Sequence, residues 1–414
     1  MASSSTSTVP IRTDRAWRRV VWLTLALFLS FLCVAMSLPV TSVYVSTRLG
    51  FSNALAGLAV GVPFASTIVT RGMAGRMSDH RGGKYCMIRG LSVYSIAALV
   101  SLAASSPSLP APAAYSVMIV GRLLLGLGES LTMVGLLSWG FGIMGPQASG
   151  RVIALVGMGM YGAFAVGGPV GLALFNQTGF AGVMGASALV PLIGLAMALP
   201  VAGVAPLVGK RPSFWSIIGR IWEPGLVVGL QGVGFAAIGA FVPLLFLHRG
   251  WPHAGLGLTC FGCAFVLMRI LFGHLPDRVG GIPVALVSLA VEAVGQYLLW
   301  TASGPAVGLA GAFLSGLGCS LIFPAMGVEA VRRIPPHLRG TAIGGFAAFQ
   351  DLAYGVTGPA TGLLADRFGY GVVFLIGGLA ATLGFALVMA VARRDRASSS
   401  TSAKPSPKSR SNLG

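Results

Sequence analysis

Charge is scarce in this chain, and negative charge scarcer still: only 9% of its 414 residues are charged, with 10 acidic side chains against 28 basic ones. An ordinary soluble domain, about a quarter of which is charged, is excluded by that shortage. Histidine and cysteine are equally sparse, at five each. His80, His248, His253, His274 and His337 fall in or beside predicted loops without further ligands at metal spacing, so no metal site is expected. Cys260 and Cys263 lie inside an apolar run, where thiols pack, while Cys33, Cys86 and Cys319 are scattered without a disulfide framework. A phosphate-cradling glycine loop followed by Lys and Ser or Thr is missing, which excludes direct use of ATP. No catalytic cluster stands out. Neither an enzyme nor a cofactor is expected.

What the chain has is apolar length, with 55% hydrophobic residues and a mean hydropathy of +0.84. Runs such as 20–44 and 180–208 exceed the ~20 residues that cross a hydrocarbon layer. Helices are predicted at 19–46, 53–75, 84–106, 112–140, 150–176 and 179–207, then at 224–247, 254–275, 283–302, 305–331, 340–365 and 371–393. The expected fold is an all-α integral membrane protein with twelve transmembrane helices in two pseudo-symmetric six-helix bundles. Residues 1–18 form a basic N-terminal segment, 19–207 the first bundle, 208–223 a linker, 224–393 the second bundle, and 394–414 a disordered tail. The first apolar run is too long for a signal peptide and is read as an uncleaved helix. The linker, with Lys210, Arg211, Trp215 and Trp222, suits either an amphipathic segment on the membrane surface or a plain tether.

The halves repeat in parallel. Arg71, Gly75, Asp79, Gly82 and Gly83 return as Arg269, Gly273, Asp277, Gly280 and Gly281, an offset of 198 residues. Gly121, Gly126, Gly128, Ser130, Gly168, Pro169 and Gly179 return as Gly311, Gly316, Gly318, Ser320, Gly358, Pro359 and Gly369, an offset of 190. Such duplication in an apolar chain points to a transporter whose halves rock around a central site. The net charge of +18 is read by location. Apart from Arg48, Arg249, Arg367 and Arg122, the basic residues gather at the termini and even-numbered loops, which places both termini in the cytoplasm. This charge sets topology and contacts anionic lipid; nucleic acid is not an expected partner.

Gly75-Arg-Met-Ser-Asp79-His80-Arg81-Gly82-Gly83-Lys84 resembles the loop motif between the second and third helices of the major facilitator superfamily, and Gly273 to Gly280 is similar to its second copy. Arg122-Leu-Leu-Leu-Gly126-Leu-Gly128-Glu129 resembles that family's fourth-helix motif, and Gly168-Pro169 its fifth-helix antiporter motif, with Leu155 and Phe164 where glycine is usual. Segments 121–140, 150–171 and 263–269 resemble the YhhS/YfcJ-type bacterial branch, which implies an inner-membrane transporter without specifying cargo.

The repeated loops make a candidate cytoplasmic gate of Arg71, Gly75, Asp79, Arg81 and Gly82 with Arg269, Gly273, Asp277, Arg278 and Gly280. Asp79 can accept charge-assisted hydrogen bonds from Arg81 or a helix N-terminus in one arrangement of the halves only. Arg71 and Arg269 can pair with Asp79 and Asp277, meet the opposite half, or anchor at the interface. Gly168, Pro169, Gly358 and Pro359 suit either a seal or a packing kink in helices five and eleven.

Ionisable residues inside the membrane normally face a cavity. Arg122 and Glu129 are separated by about 10.5 Å along one helix face, so both are expected to line the cavity, with Arg122 attracting an anionic group or a carboxylate. Asp351, beside Gln350, is the second candidate for proton coupling. Glu292 is given a structural or neutral place, and Glu329 an intrahelical pairing with Arg332 or Arg333. Tyr44, Gln231, Phe235 and Phe323 are candidate cavity-lining residues, although aromatics at such spacing also serve packing.

The expectation is a monomeric secondary transporter of the bacterial inner membrane that exchanges protons for an outward-moving small organic solute. The alternatives are proton-coupled uptake of a sugar or organic acid, and a non-transporting membrane sensor. If Asp79 latches one state, Asp79→Asn reduces transport at near-normal membrane abundance; unaltered transport would exclude the latch.

Overall fold

The computed structural model describes residues 10–145, 148–205, 214–252, 254–334 and 339–402, and it is helical throughout, with no strand among them. The first half comprises α1 (Pro10–Val43), α2 (Asn53–Arg81), α3 (Gly83–Ala103), α4 (Ala111–Met144) and α5 (Ser149–Ala198). A π-helical turn, Tyr44–Arg48, ends α1. The second half comprises α6 (Phe214–His248), α7 (Ala254–Phe272), the short α8 (Leu275–Val279), α9 (Gly281–Thr301), α10 (Pro305–Arg332), α11 (Arg339–Phe368) and α12 (Gly371–Ser402).

Gly179, at φ +70°, breaks α5 into arms 149–178 and 180–198 that fold back on one another. Among the described residues, ten helices are long and apolar enough to cross a membrane, with α5 counted once. The second arm of α5 and the more polar α11 complete twelve crossings.

Several ends differ from the sequence expectation. The first helix begins at Pro10 rather than residue 19. Helix α6 begins at Phe214, so the second part of the expected linker is helical; Ile221 is buried in the second bundle. Residues 206–213 lie outside the described residues. Helix α12 continues to Ser402, and Arg394 holds it to Glu223 of α6 by an ion pair. The expected tail beyond 402 lies outside the described residues.

The duplication seen in the sequence is also a duplication of packing. Helix α3 lies on α4, and α9 on α10; α2 lies on α4, and α7 on α10. The halves meet along α2–α11 and α5–α7, with α1 and α6 between. Call the face where α1 begins and α12 ends the terminal face. Near the other face, α2 and α11 touch backbone to backbone: a Cβ on Gly57 would lie 2.0 Å from the Gly358 carbonyl oxygen. Small residues permit such approach where lipid supplies no hydrophobic drive between helices. On the same side, Ser42 Oγ of α1 donates to the Ala240 carbonyl of α6 at 2.8 Å.

Gly57→Val forces this crossing apart. The expected loss is roughly 1–3 kcal/mol, read as a lower Tm of the purified protein, whereas Gly185→Ala, whose Cβ would meet nothing within 4 Å, leaves Tm unchanged.

Candidate functional site

Each half delivers ionisable side chains to mid-depth. Arg71 projects from α2 about 15 Å before its end at the terminal face. Asp351 of α11 accepts a hydrogen bond from Arg71 Nη2, an ion pair that ties the halves together. Their side chains are 20% and 11% exposed, so solvent and salt screen the pair only weakly. Of the pairings open to Arg71 in the sequence, this is the one with the opposite half.

Glu129 of α4 is buried, with no hydrogen-bond partner for Oε2 among the described residues. It lines the same cavity as Arg71 and Asp351. The cavity walls are otherwise largely apolar, with Met133, Met160, Phe164, Phe323 and Tyr354 among them. Two polar residues cross the wall. Tyr161 Oη of α5 donates to Gln350 Oε1 of α11 at 2.7 Å, and Gln350 Nε2 donates to Gln231 Oε1 of α6 at 3.3 Å.

Arg269 holds the place in α7 that Arg71 holds in α2. Its guanidinium lies 4.7 Å from the centre of the Tyr161 ring and donates to the Ser320 carbonyl. Tyr161 in turn precedes Asp351 by 190 residues, the offset of the second repeat. The two cross-half contacts, Arg71 to Asp351 and Arg269 to Tyr161, are therefore pseudo-symmetric copies. One is an ion pair and the other a cation–π contact.

Above the cavity, aromatic rings fill the space between halves. Phe235 stacks on Tyr354 at 5.1 Å and meets Phe164 edge-on at 5.7 Å, while Phe64 meets Tyr354 at 4.9 Å. Beyond them is the Gly57–Gly358 contact, and then a polar clasp that the sequence reading missed. Asp366 of α11 accepts from the backbone N–H groups of Asn53 and Ala54, at 3.0 and 3.2 Å, and from Asn53 Nδ2 at 2.9 Å. These N–H groups are the unsatisfied first turn of α2, so a carboxylate from one half caps a helix of the other. Tyr370 Oη donates to Asn53 Oδ1 at 2.8 Å. Asp366 has no counterpart in the repeat that would have marked it.

Two expectations need correction. Arg122 does not face the cavity with Glu129: its Nε donates to the Ala59 carbonyl at 3.0 Å and Nη1 to Ser37 Oγ at 2.7 Å, which ties α4 to α2 and α1. A side chain that length reaches backbone acceptors on neighbouring helices more easily than a carboxylate two turns along its own. Tyr44 does not line the cavity either, because Tyr44 Oη donates to the Ala104 carbonyl and its ring stacks on Phe180 at 4.0 Å. Phe323 lines the cavity, Gln231 borders it through Gln350, and Phe235 belongs to the aromatic layer.

At the terminal face, Gly75 is buried, Asp79 lies in the last turn of α2, and Arg81 Nη1 donates to Tyr85 Oη at 2.6 Å. Gly82 and Gly280 occupy matching turns at φ +87° and +93°, where a side chain would be strained. Gly273 follows α7, and Asp277 and Arg278 belong to α8. Gly168 approaches Leu258 across the α5–α7 contact, its Cβ position 3.6 Å from that side chain, beside Pro169; Pro359 follows Gly358 in α11. Glu329 Oε1 accepts from Arg332 and also from the Gly281 N–H at 3.1 Å, so it caps α9 as well. Among the described residues no group of acidic, His or Cys side chains could hold a metal ion.

A cavity between two pseudo-symmetric bundles, bridged by charge at mid-depth, is the architecture of a membrane carrier. The Major Facilitator Superfamily model matches residues 23–254 and 224–413. An uncharacterized MFS-type transporter of Salmonella typhimurium is 42% identical over 370 residues, covering 89% of this chain and 95% of its own. Another from Burkholderia mallei is 38% identical over 361 residues, covering 87% and 88%. Among solved structures, the D-xylose-proton symporter aligns with a TM-score of 0.76 at 16% identity, over 91% of this chain and 97% of its own. A mutant of the nucleoside transporter NupG aligns at 0.72 and 13% identity, over 90% and 99%. The chain belongs to the major facilitator superfamily and is a multi-pass membrane transporter.

Arg71→Gln strands the Asp351 carboxylate and is expected to cost roughly 1–3 kcal/mol, less than the ~3–5 of a fully buried pair. Arg71→Gln with Asp351→Asn together restores most of that loss. Thermal unfolding of the single and double variants measures it; additive effects would mean the pair is not coupled.

Proposed function

We propose that this protein is a proton-coupled secondary transporter that exchanges protons for an apolar or amphipathic small organic solute by alternating access. The observation that carries the reading is the Arg71–Asp351 ion pair, set beside Glu129 in one cavity between the halves. A proton on Asp351 removes the charge that holds Arg71 and loosens a bridge between halves. Solute entering the cavity competes for the same carboxyls, the arrangement an exchanger needs. The aromatic and methionine walls favour an apolar body in the cargo. With Arg122 engaged by Ser37 and Ala59, its charge no longer argues for an anionic solute. Proton-coupled uptake is the second reading, favoured by the likeness to a D-xylose-proton symporter.

In this reading the protein works as a monomer in the bacterial inner membrane, both termini are cytoplasmic, and the terminal face is the inner face. The clasp at Asp366, with the Gly57–Gly358 crossing and the Gly168–Pro169 segment, then forms the outer seal. The loops around Asp79 and Asp277 close the inner side in the opposite state. Closure at the outer end and a cavity reaching mid-depth correspond to an inward-facing state.

The test is dissipation of a preformed proton gradient in inverted vesicles, using panels of acidic, neutral and basic solutes. A compound-dependent collapse in the wild type, removed by Glu129→Gln or Asp351→Asn, is the expected result. Silence there with solute-driven proton entry in right-side-out vesicles would establish uptake instead. Silence in both orientations would overturn proton exchange for these solutes and favour a narrower cargo, another coupling ion, or the sensor.

A further inference from the structure

Helix α9 carries a carboxyl that the cavity does not use. Glu292 is 0% exposed, and neither of its carboxyl oxygens has a hydrogen-bond partner among the described residues. A Cβ on Gly234 of α6 would come within 2.5 Å of Glu292 Oε1, and Gly318 of α10 packs on the Glu292 backbone. One turn along α9, Gln296 Nε2 donates to the Gly234 carbonyl at 3.1 Å, while Gln296 Oε1, next to Gly377 of α12, has no partner among the described residues. The Cys319 thiol of α10 lies in reach of the carboxyl and, on its other side, of the Gln231 amide, neither in good hydrogen-bond geometry. Tyr354 of α11 is the remaining titratable neighbour, its hydroxyl also unpartnered among the described residues. No cationic side chain among the described residues faces the group. A bare carboxylate here, without cation or donor, would bear an unrelieved desolvation cost, so the site calls for a proton.

The position is not arbitrary. Glu292 follows Tyr94 by 198 residues, Gln231 follows Cys33 by 198, and Cys319 follows Glu129 by 190. Tyr94 lies close to both Cys33 and Glu129. The junction of first, third and fourth helices thus holds one carboxyl, one thiol and one further polar group in each half. In the first half the carboxyl, Glu129, reaches the cavity. In the second half it lies behind Gln231, one step removed.

That step is bridged by side chains already described. Gln231 bonds Gln350, and Gln350 bonds Tyr161 of the opposite half. Parting the halves would break the Tyr161–Gln350 bond and free Gln350 to turn, and Gln231, whose amide already lies in reach of Cys319, would then be released to move on to the carboxyl. A donor then arrives where the ionised form needs one.

We propose that Glu292, with Gln296, Cys319 and Gln231, forms a second proton-binding site that communicates with the central cavity through the Gln231–Gln350–Tyr161 chain. This deepens the proton-coupled reading above and rests on it for its role in transport. The proton comes from a hydronium ion of cavity water, whose O–H bond breaks as one forms on a carboxylate oxygen, and it returns to water by the reverse step, with no change of oxidation state.

The test needs no substrate: infrared difference spectra of the full-length protein in lipid nanodiscs, between mildly acidic and mildly alkaline buffer. The wild type is expected to show a pH-dependent C=O component of a protonated carboxyl that Glu292→Gln abolishes and Tyr161→Phe displaces. If Glu292→Gln removes no pH-dependent component, Glu292 is a fixed structural group and the proposal fails. A component unmoved by Tyr161→Phe removes the proposed route and equally overturns it. Should Glu292→Gln not assemble, Gln231→Leu keeps the carboxyl and is expected to displace the component; an unchanged spectrum rejects the site. Because vesicle silence would overturn proton exchange without altering these spectra, the two failures are distinguishable.

Discussion

The rest of the structure is organised around one ion pair, Arg71 with Asp351, held between two bundles inside an apolar slab. Neither charge is affordable alone at that depth, so each half supplies what the other lacks. The pair forms only because α2 and α11 come close enough for their side chains to meet. Glycine sets that distance, with Gly57 and Gly358 in backbone contact several turns away. Moving the crossing by the width of a methyl group would lengthen the bridge and weaken the pairing that holds the buried Asp351 carboxylate. Packing at one face and electrostatics at mid-depth are thus a single constraint.

The same logic explains why closure is concentrated at the face opposite the termini. The first turn of α2 has N–H groups that lipid cannot satisfy, and Ser52 takes only one of them, from Leu55 at 3.4 Å. Asp366 takes two more from across the interface. Parting the halves there must uncap a helix and expose a carboxylate together, so that opening requires water or another partner to take over both groups. Contacts of this kind favour two discrete arrangements over a continuum.

The architecture was legible in the sequence because it depends on features that periodicity and repetition expose. Apolar length marked the crossings, the 198- and 190-residue offsets marked the halves, and the short gap between the helices expected at 150–176 and 179–207 matches the break at Gly179 within α5. Glu129 and Asp351 were legible as acidic residues in apolar helices, and the structure brings both to one cavity. What could not be read was direction. Seven-residue spacing puts Arg122 and Glu129 on one face of α4, but the Arg122 stem swings to Ser37 and Ala59. Nor does a linear pattern say that Tyr161 reaches Gln350, or that Asp366 meets Asn53, since both contacts join residues far apart in the chain. The ends of α6 and α12 extended beyond the expected boundaries for a related reason: Arg394 and Glu223 pair only after both helices have packed.

Duplication supplies a further argument about where chemistry resides. Two halves with equivalent helices would, with identical side chains, give a symmetric pore with no preference between its ends. The repeat retains what packing requires, including Gly82 with Gly280, Gly128 with Gly318, and Arg71 with Arg269. It diverges where charge is placed. Asp351 stands where the first half has Tyr161, Cys319 where it has Glu129, and Glu292 where it has Tyr94. Each substitution exchanges a group that can carry a full negative charge near neutral pH for one that ordinarily does not. One arginine therefore meets an anion while its twin meets an aromatic ring, and one carboxyl faces the cavity while another lies behind a glutamine. A scaffold symmetric in shape and asymmetric in charge places its charges unequally about the cavity, so the two halves, alike in packing, are unlike in electrostatics.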